Sequence, residues 1–166
     1  MKEIKESKWG YRPFDEWAWK SYDGKRKMFV VDFVNAQPKD ETFFMIGTDS
    51  QNYSKKRICI FTSVLIGYRL HHGGSVIIHR DKVPYMQSLR QRLLMEAMRS
   101  LEVAWHIDSL VPSKNIIEIH LDVNANTKFK SGRHKDELIG LVASQGYRCL
   151  IKPDAWAASG AADRKC

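Results

Sequence analysis

The sequence has few cysteines and none of the patterns in which cysteines bind a metal or form a disulfide framework. Cys59, Cys149 and Cys166 are the three cysteines among 166 residues, and no CxxC pair occurs. Cys59 and Cys149 lie within apolar segments, where a free thiol behaves as a small hydrophobic side chain. These observations argue against a zinc site and against a disulfide-stabilised secreted domain.

The sequence also lacks any segment of the kind that crosses a membrane. No stretch approaches the roughly 18 consecutive apolar residues of a transmembrane helix. Residues 1–8 are rich in lysine and glutamate and have no apolar core of a secretion signal. We therefore expect a cytoplasmic protein without membrane contact, and the length fits one globular domain.

What the sequence has in excess is positive charge. It contains 27 lysine and arginine residues against 19 aspartate and glutamate residues, which gives a net charge of +8 and a pI near 9.4. Such a balance favours polyanionic partners, because cations contact phosphates and release counterions. Nucleic acid is the expected partner, and no obligate protein partner is evident.

Residues 1–40 are predicted to form a basic, aromatic extension that contains a short helix over Met28–Ala36. Trp17 and Trp19 alternate here with cationic residues, an arrangement that could stack nucleobases. Large exposed rings would make the surface sticky, so we expect them to pack on the domain as a lid.

Residues 41–166 have the pattern of an α/β domain with the element order βββαβαβα. The strands are predicted over 43–51, 58–68, 75–80, 115–123 and 147–151, and the helices over 85–108, 134–145 and 155–166. The third strand is the shortest and ends in charged residues, which is typical of a sheet edge. We expect His79, like His71 and His72, to lie in a loop without a metal role.

The long predicted helix carries one acid at an ambiguous position. At 100° per residue, Arg92, Arg99, Glu102 and His106 share the polar face, whereas Glu96 lies at the margin of the apolar face. A carboxylate at a buried margin needs a partner. A helix ion pair between Glu96 and Arg92 is the purely structural interpretation.

Two predicted strands deliver a carboxylate near their carboxyl ends. Asp49 follows the apolar run Phe43–Ile46, and Asp122 lies near the end of the fourth strand. Asp49 alone is more often a turn or capping residue. Because a long helix precedes the fourth strand, this strand is expected to run parallel to a neighbour through a crossover connection. If it neighbours the first strand, Asp49 and Asp122 meet at one edge of the sheet, where α/β proteins bind ligands.

Clustered carboxylates predict a metal site. They repel one another and hold protons unless a cation neutralises them, and hard oxygen ligands select Mg²⁺ or Mn²⁺. Two such ions about 4 Å apart stabilise both the attacking and the leaving oxygen in phosphodiester cleavage. An acidic metal pocket on a basic protein is typical of a nuclease.

Four short blocks resemble a known family. Gly47–Gln51 (GTDSQ) resembles the first strand of the ribonuclease H-like fold, and Met95–Met98 is similar to the Met-Glu-x-Met of ribonuclease HI. His120–Val123 matches the acid of the fourth strand by place and context. Lys152–Asp163 resembles the end of the YkuK family, a group of predicted ribonuclease H-like nucleases in which the GTDSQ, HLD and KPDAWAAS blocks follow in this order.

The resemblance implies a five-stranded mixed sheet in the order 3-2-1-4-5, flanked by helices. It also implies metal-dependent hydrolysis of RNA, RNA–DNA hybrid or structured DNA. By position, Asp49 would bridge two Mg²⁺ or Mn²⁺ ions, and Glu96 and Asp122 would each bind one. Asp163 is the favoured fourth ligand, with Asp154 as the alternative, although Asp154 is also well placed to cap the last helix.

The residues that would contact the substrate are less clearly marked. The classical enzyme has a basic handle for its hybrid substrate, and no segment here clearly replaces it. The candidates for nucleic-acid contact are Gln51, Lys128, Lys130, Arg133 and Lys152. The main alternative is a nucleic-acid-binding module that retains the fold without catalysis. A second alternative is a protein-interaction domain in which the acids are caps and ion pairs.

Overall fold

A computed structural model describes residues 12–112 and 115–162, without the side chains of residues 158 and 159. The strands are β1 (Trp19–Ser21), β2 (Lys27–Met28), β3 (Thr42–Tyr53), β4 (Ile58–Arg69), β5 (Gly73–Pro84), β6 (Ile117–His120) and β7 (Arg148–Leu150). The α-helices are α1 (Val30–Ala36), α2 (Leu89–Asp108) and α3 (Lys135–Ser144). Single turns of 3-10 helix occupy Phe14–Glu16, Ser54–Lys56 and Ser131–His134, and Ala157–Ala162 is π-helical.

All the strands of the described residues belong to one sheet, in the order β2-β1-β5-β4-β3-β6-β7. β3, β4 and β5 have 12 residues each and form a continuous antiparallel meander. β6 runs parallel to β3, and β7 runs parallel to β6. The five strands that follow residue 40 are therefore adjacent in the sheet as β5-β4-β3-β6-β7.

The expectation of a five-stranded sheet is wrong, because β1 and β2 add two strands from the N-terminal extension. β1 pairs with β5 from Trp19 opposite His79 to Ser21 opposite Ile77. The third strand of the domain is thus neither short nor an edge over this stretch. The signal for β1 was the alternation Trp17, Trp19, Ser21 inward with Lys20 outward, which has the period of a strand.

Trp17 and Trp19 pack on the domain, as the lid interpretation predicted, while Trp9 and Tyr11 lie outside the described residues. Trp17 and Trp19 are both buried. The Trp17 ring stacks on His79 with 4.6 Å between ring centroids, and Phe14 stacks on His106 at 3.9 Å. The prediction that His79 lies in a loop is wrong, since His79 is buried within β5 and contacts the extension.

Helix α2 packs on one face of the sheet and contributes to the main core. It begins at Leu89, capped by the Ser88 hydroxyl oxygen, which accepts from the Gln91 backbone N–H. This is later than predicted, because residues up to Pro84 continue β5. The placement of Arg99 on the polar face is wrong: Arg99 is buried, and its guanidinium pairs with Asp81 at 2.9 Å.

The opposite face of the sheet is partly covered by the chain that follows β7. Ala157 and Ala162 pack there against Met45, Val64 and Ile66. The helix predicted over 155–166 is π-helical over Ala157–Ala162, and Asp163 lies outside the described residues. No helix in the described part of the chain is both long and apolar enough to cross a membrane.

Candidate active site

The two strand acids occupy matching positions on neighbouring strands. β3 and β6 pair in parallel from Phe44 opposite Ile117 to Gly47 opposite His120. Asp49 and Asp122 lie two residues beyond Gly47 and His120, and both are half-buried. Their convergence was predicted, but the two strands do not end at residues 51 and 123 as expected. β3 continues to Tyr53, and it is β6 that ends before its acid.

Glu96 is brought to this place by α2 and is 5% exposed. Its carboxylate Oε1 accepts a 2.5 Å hydrogen bond from the hydroxyl of Ser50, the neighbour of Asp49. The ion pair with Arg92 that would explain Glu96 structurally is replaced by a different contact. Arg92 Nη1 donates to the backbone oxygen and to Oγ of Ser50, both at 3.2 Å. Ser50 therefore stands between the helix cation and the helix acid.

The three acids share one electrostatic environment. Burial raises the pKa of Glu96 well above its ordinary value, and the charges of Asp49 and Asp122 raise this pKa further. The hydrogen bond from Ser50 and the charge of Arg92 act in the opposite direction. An acid whose pKa is raised by burial and by like charges is typical of a functional site.

Lys152 forms an ion pair with Asp122, with 2.6 Å between Lys152 Nζ and Asp122 Oδ1. Sequence reasoning assigned Lys152 to nucleic-acid contact and missed this ion pair. The register holds the signal that could have found it. β6 and β7 pair with a constant offset, Glu118 opposite Arg148, and the same offset places Asp122 opposite Lys152. Both positions carry an ion pair, that of Arg148 and Glu118 at 2.9 Å.

A buried histidine ties the C-terminal segment to the end of β6. The backbone N–H of Ala157 donates to His120 Nδ1 at 3.1 Å. Nε2 therefore carries the ring proton and donates to Glu118 Oε2 at 3.3 Å. Burial lowers the pKa of His120, which favours this neutral form. Because His120 lies two residues before Asp122, the contact fixes the chain on either side of the acids.

The remaining predicted site residues lie on the surface around the acids. Lys128, Lys130 and Arg133 are exposed in the segment that follows Asp122. Gln51 is exposed on β3 and accepts a hydrogen bond from the Tyr53 hydroxyl at 3.2 Å. Asp154 is exposed in the turn before Ala157. Of the two candidates for a fourth ligand, only Asp154 thus falls among the described residues.

The chemical nature of the three acids suits a hard divalent cation, but their spacing in this structure does not form a closed site. Within residues 12–112 and 115–162, no three Asp, Glu, His or Cys side chains are gathered closely enough to bind one ion. Asp122 is instead paired with an ammonium group and Glu96 with a hydroxyl. Three carboxylates whose charges disfavour one another are nevertheless the ligands that Mg²⁺ and Mn²⁺ prefer, and a cation would relieve the repulsion that raises the pKa of Glu96.

Comparisons with known proteins match the chain to one family and one relative. A family model described as "Ribonuclease H-like" matches residues 27–166. Over 154 residues the chain is 30% identical to "Uncharacterized protein YkuK" of Bacillus subtilis (strain 168), an alignment that covers 80% of this chain and 83% of the relative. No solved structure matches the chain significantly.

Proposed function

Because the chain belongs to the ribonuclease H-like superfamily, and within it to the YkuK family, we propose that it is a divalent-metal-dependent nuclease. Its substrate would be RNA, RNA–DNA hybrid or structured DNA, and its reaction the hydrolysis of a phosphodiester bond. The observation that carries the proposal is the meeting of Asp49, Asp122 and the buried Glu96, whose pKa the other two acids help to raise. The basic composition of the chain supports a polyanionic substrate.

Each acid has a distinct role in this proposal. Asp49 would help to hold both of two Mg²⁺ or Mn²⁺ ions, while Glu96 and Asp122 would each help to hold one. When bound, such a pair stabilises negative charge on the attacking and leaving oxygens. Asp163 is proposed as the fourth ligand, with Asp154 as the alternative.

Ser50 and Lys152 would support the acids. The Ser50 hydroxyl donates to Glu96 Oε1 and so fixes the direction in which that carboxylate faces. The Lys152 side chain is 39% exposed, which allows its ammonium group to reach a phosphate of the substrate as well as Asp122. This second contact is the one that the sequence predicted for Lys152.

The test is cleavage of labelled single-stranded, duplex, hybrid and junction substrates in Mn²⁺ by the wild type, Asp49→Asn and Asp32→Asn. Asp32 is an exposed acid on α1 and gives a control with the same chemical change. We expect the control to match the wild type. Asp49→Asn should lose activity by about 100-fold or more, the scale of removing one preorganised electrostatic contact at a reaction centre. Equal cleavage by all three proteins would remove Asp49 from the mechanism.

A second function, nucleic-acid binding without cleavage, is favoured by one observation. The ammonium group of Lys152 lies where a cation would contact Asp122, so the acids are already partly neutralised. If the wild type binds an oligonucleotide in EDTA, cuts none of the substrates in Mn²⁺ and shows no Mn²⁺ binding, this second function replaces the first.

A further inference from the structure

The meander continues beyond the candidate active site, and there one of its two faces keeps exposed and half-exposed side chains that no described helix covers. Directly paired residues point to the same face of a sheet, so Thr62 and Arg80 lie in one row with Asp49. The next row on this face contains Gln51, Ile60 and Lys82. We define the open face as Gln51, Tyr53, Ile58, Ile60, Arg80 and Lys82.

The burial pattern distinguishes the two faces of these strands. Along β5, Arg80 and Lys82 are exposed, whereas Asp81 and Val83 are buried. Helix α2 covers the buried side, and Val83 of β5 packs there in one cluster with Met95 of α2.

The described part of the C-terminal segment covers the other side in earlier rows. Ala157 and Ala162 belong there to one buried cluster with Met45, Val64 and Ile78. In the described part of the chain, Gln51, Arg80 and Lys82 remain exposed, and Ile58 and Ile60 are half-exposed.

The charged side chains that the described strands place on the open face are cations. Beyond Asp49, these side chains are Arg80 and Lys82. The turn at its far end adds exposed cations at residues 55–57. Arg80 is two strand spacings from Asp49, about 10 Å between backbones, and Lys82 is about 7 Å further along β5. A polyanion bound at Arg80 is therefore about 10 Å from the Asp49 backbone, across the intervening strand β4.

We propose that the open face binds a single-stranded nucleic acid and directs it towards Asp49. The identification of the polyanion as nucleic acid rests on the proposed function. Arg80 and Lys82 would contact phosphates, while the bases would lie on Ile58, Ile60 and the ring of Tyr53. Flat sheet surfaces that combine cations with apolar and aromatic side chains bind unpaired bases in this way. A duplex, whose bases are paired and stacked inside, would use the cations alone.

The test is fluorescence anisotropy of a labelled single-stranded oligonucleotide in EDTA, where binding is measured apart from cleavage. The double variant Arg80→Gln/Lys82→Gln is compared with Lys25→Gln/Arg26→Gln, which removes one exposed lysine and one exposed arginine from the turn between β1 and β2. Loss of two phosphate contacts to a single strand should reduce the salt dependence, log K against log [salt], by about 1.4. At 0.1 M salt this corresponds to roughly 25-fold weaker binding. The control should bind like the wild type.

Tyr53 gives an independent arm of the same experiment. Tyr53→Phe keeps the ring and should bind like the wild type, whereas Tyr53→Leu should bind about 5-fold more weakly or worse, since each stacked base contributes on this scale. Circular dichroism and the Tm verify that each variant is folded. If the double variant is not, Lys82→Gln alone should bind about 5-fold more weakly.

The outcomes separate this proposal from the nuclease proposal. Equal binding by the Arg80/Lys82 variant and the Lys25/Arg26 variant would overturn the open-face proposal. Tighter binding of a duplex than of the single strand by the wild type would overturn it as well. Weakened binding by the Arg80/Lys82 variant, together with no cleavage of any substrate by the wild type, would support the open face and reject the nuclease. Cleavage of a single strand that the Arg80/Lys82 change leaves unaffected would reject the open face and retain the nuclease.

Discussion

Two buried acidic regions lie side by side between α2 and the sheet, and the partners of their carboxylates differ. Ser50 and Asp81 belong to one row of the sheet, separated by Phe61. On the helix above them, Glu96 accepts a hydrogen bond from Ser50. Arg99, three residues later on the helix, donates a hydrogen bond to Asp81. In the Asp81 region a carboxylate is neutralised by a guanidinium. In the Glu96 region a carboxylate accepts a hydrogen bond from a hydroxyl, and the charges of two further acids raise its pKa.

The difference shows which buried acid belongs to the architecture and which to a site. Asp81 and Arg99 are both about 5% exposed and hydrogen-bonded at 2.9 Å, and the Arg99 guanidinium also lies over the Phe61 and Trp17 rings. This pair joins the extension, β5 and α2. Glu96 has no such compensation, so the fold tolerates a disfavoured charge there. Such tolerance is expected where a charge serves binding or catalysis.

The largest expected effect on stability comes from removing the Arg99 partner of the buried Asp81 carboxylate. Arg99→Met leaves the Asp81 carboxylate buried without its main partner, because Arg12 is 3.8 Å away and largely exposed. Removing one member of a buried pair costs about 3–5 kcal/mol, and urea denaturation should show a loss of this size. The double variant Arg99→Met/Asp81→Leu should recover most of it, since a buried pair replaced by apolar residues is often neutral. An unrecovered loss would mean that the Arg99 contacts with the rings, and not its charge, stabilise the region.

A divalent cation should stabilise the Glu96 region alone. At a Mn²⁺ concentration 100 times its Kd, the free energy of unfolding should rise by about 2.7 kcal/mol relative to EDTA. Arg99→Met should keep this increment, and Asp122→Asn should lose most of it, which denaturation with and without Mn²⁺ will measure. The same increment in both variants would place the bound ion away from the three acids.

A smaller effect is expected from Glu96→Gln, and it depends on pH. The pKa of Glu96 is raised in the folded protein above its ordinary value of 4.5. The folded state therefore binds more protons than the unfolded state between these two values, and the free energy of unfolding falls as the pH rises through that interval. The free energy of unfolding of Glu96→Gln should be within about 1 kcal/mol of the wild-type value at pH 4. As the pH rises, it should increase relative to the wild-type value. Urea denaturation in EDTA at several pH values tests this, and a difference that stays constant with pH would contradict it.

The sequence was most informative where connection rules limit the arrangement. A long helix between two strands forces a crossover, so the element order predicted that Asp49 and Asp122 meet if the first and fourth strands are neighbours. The buried margin of α2 likewise identified Glu96, because hydrophobic periodicity reports which side of a helix packs on the core.

The errors have a common physical origin. A helical wheel assigned Arg99 to solvent, because it cannot show that Trp17, from a distant part of the chain, covers that side. His79 and β5 were misjudged for the same reason, since their partner is β1. The ion pair of Lys152 with Asp122 depends on the register of two parallel strands, which neither strand specifies alone. Contacts between remote segments were thus the part that local patterns could not supply.

The pairing of β1 with β5 is also expected to affect how the protein behaves in concentrated solution. Of the 12 residues of β5, those that β1 pairs with are Ile77–His79. Lys82 and Pro84 follow on the same outer edge, and lysine and proline there discourage the addition of a further strand. Removing residues 12–28 would uncover the apolar middle of that edge, which has no such protection. The truncated protein would then be expected to self-associate through strand addition, so the extension also protects the protein against aggregation.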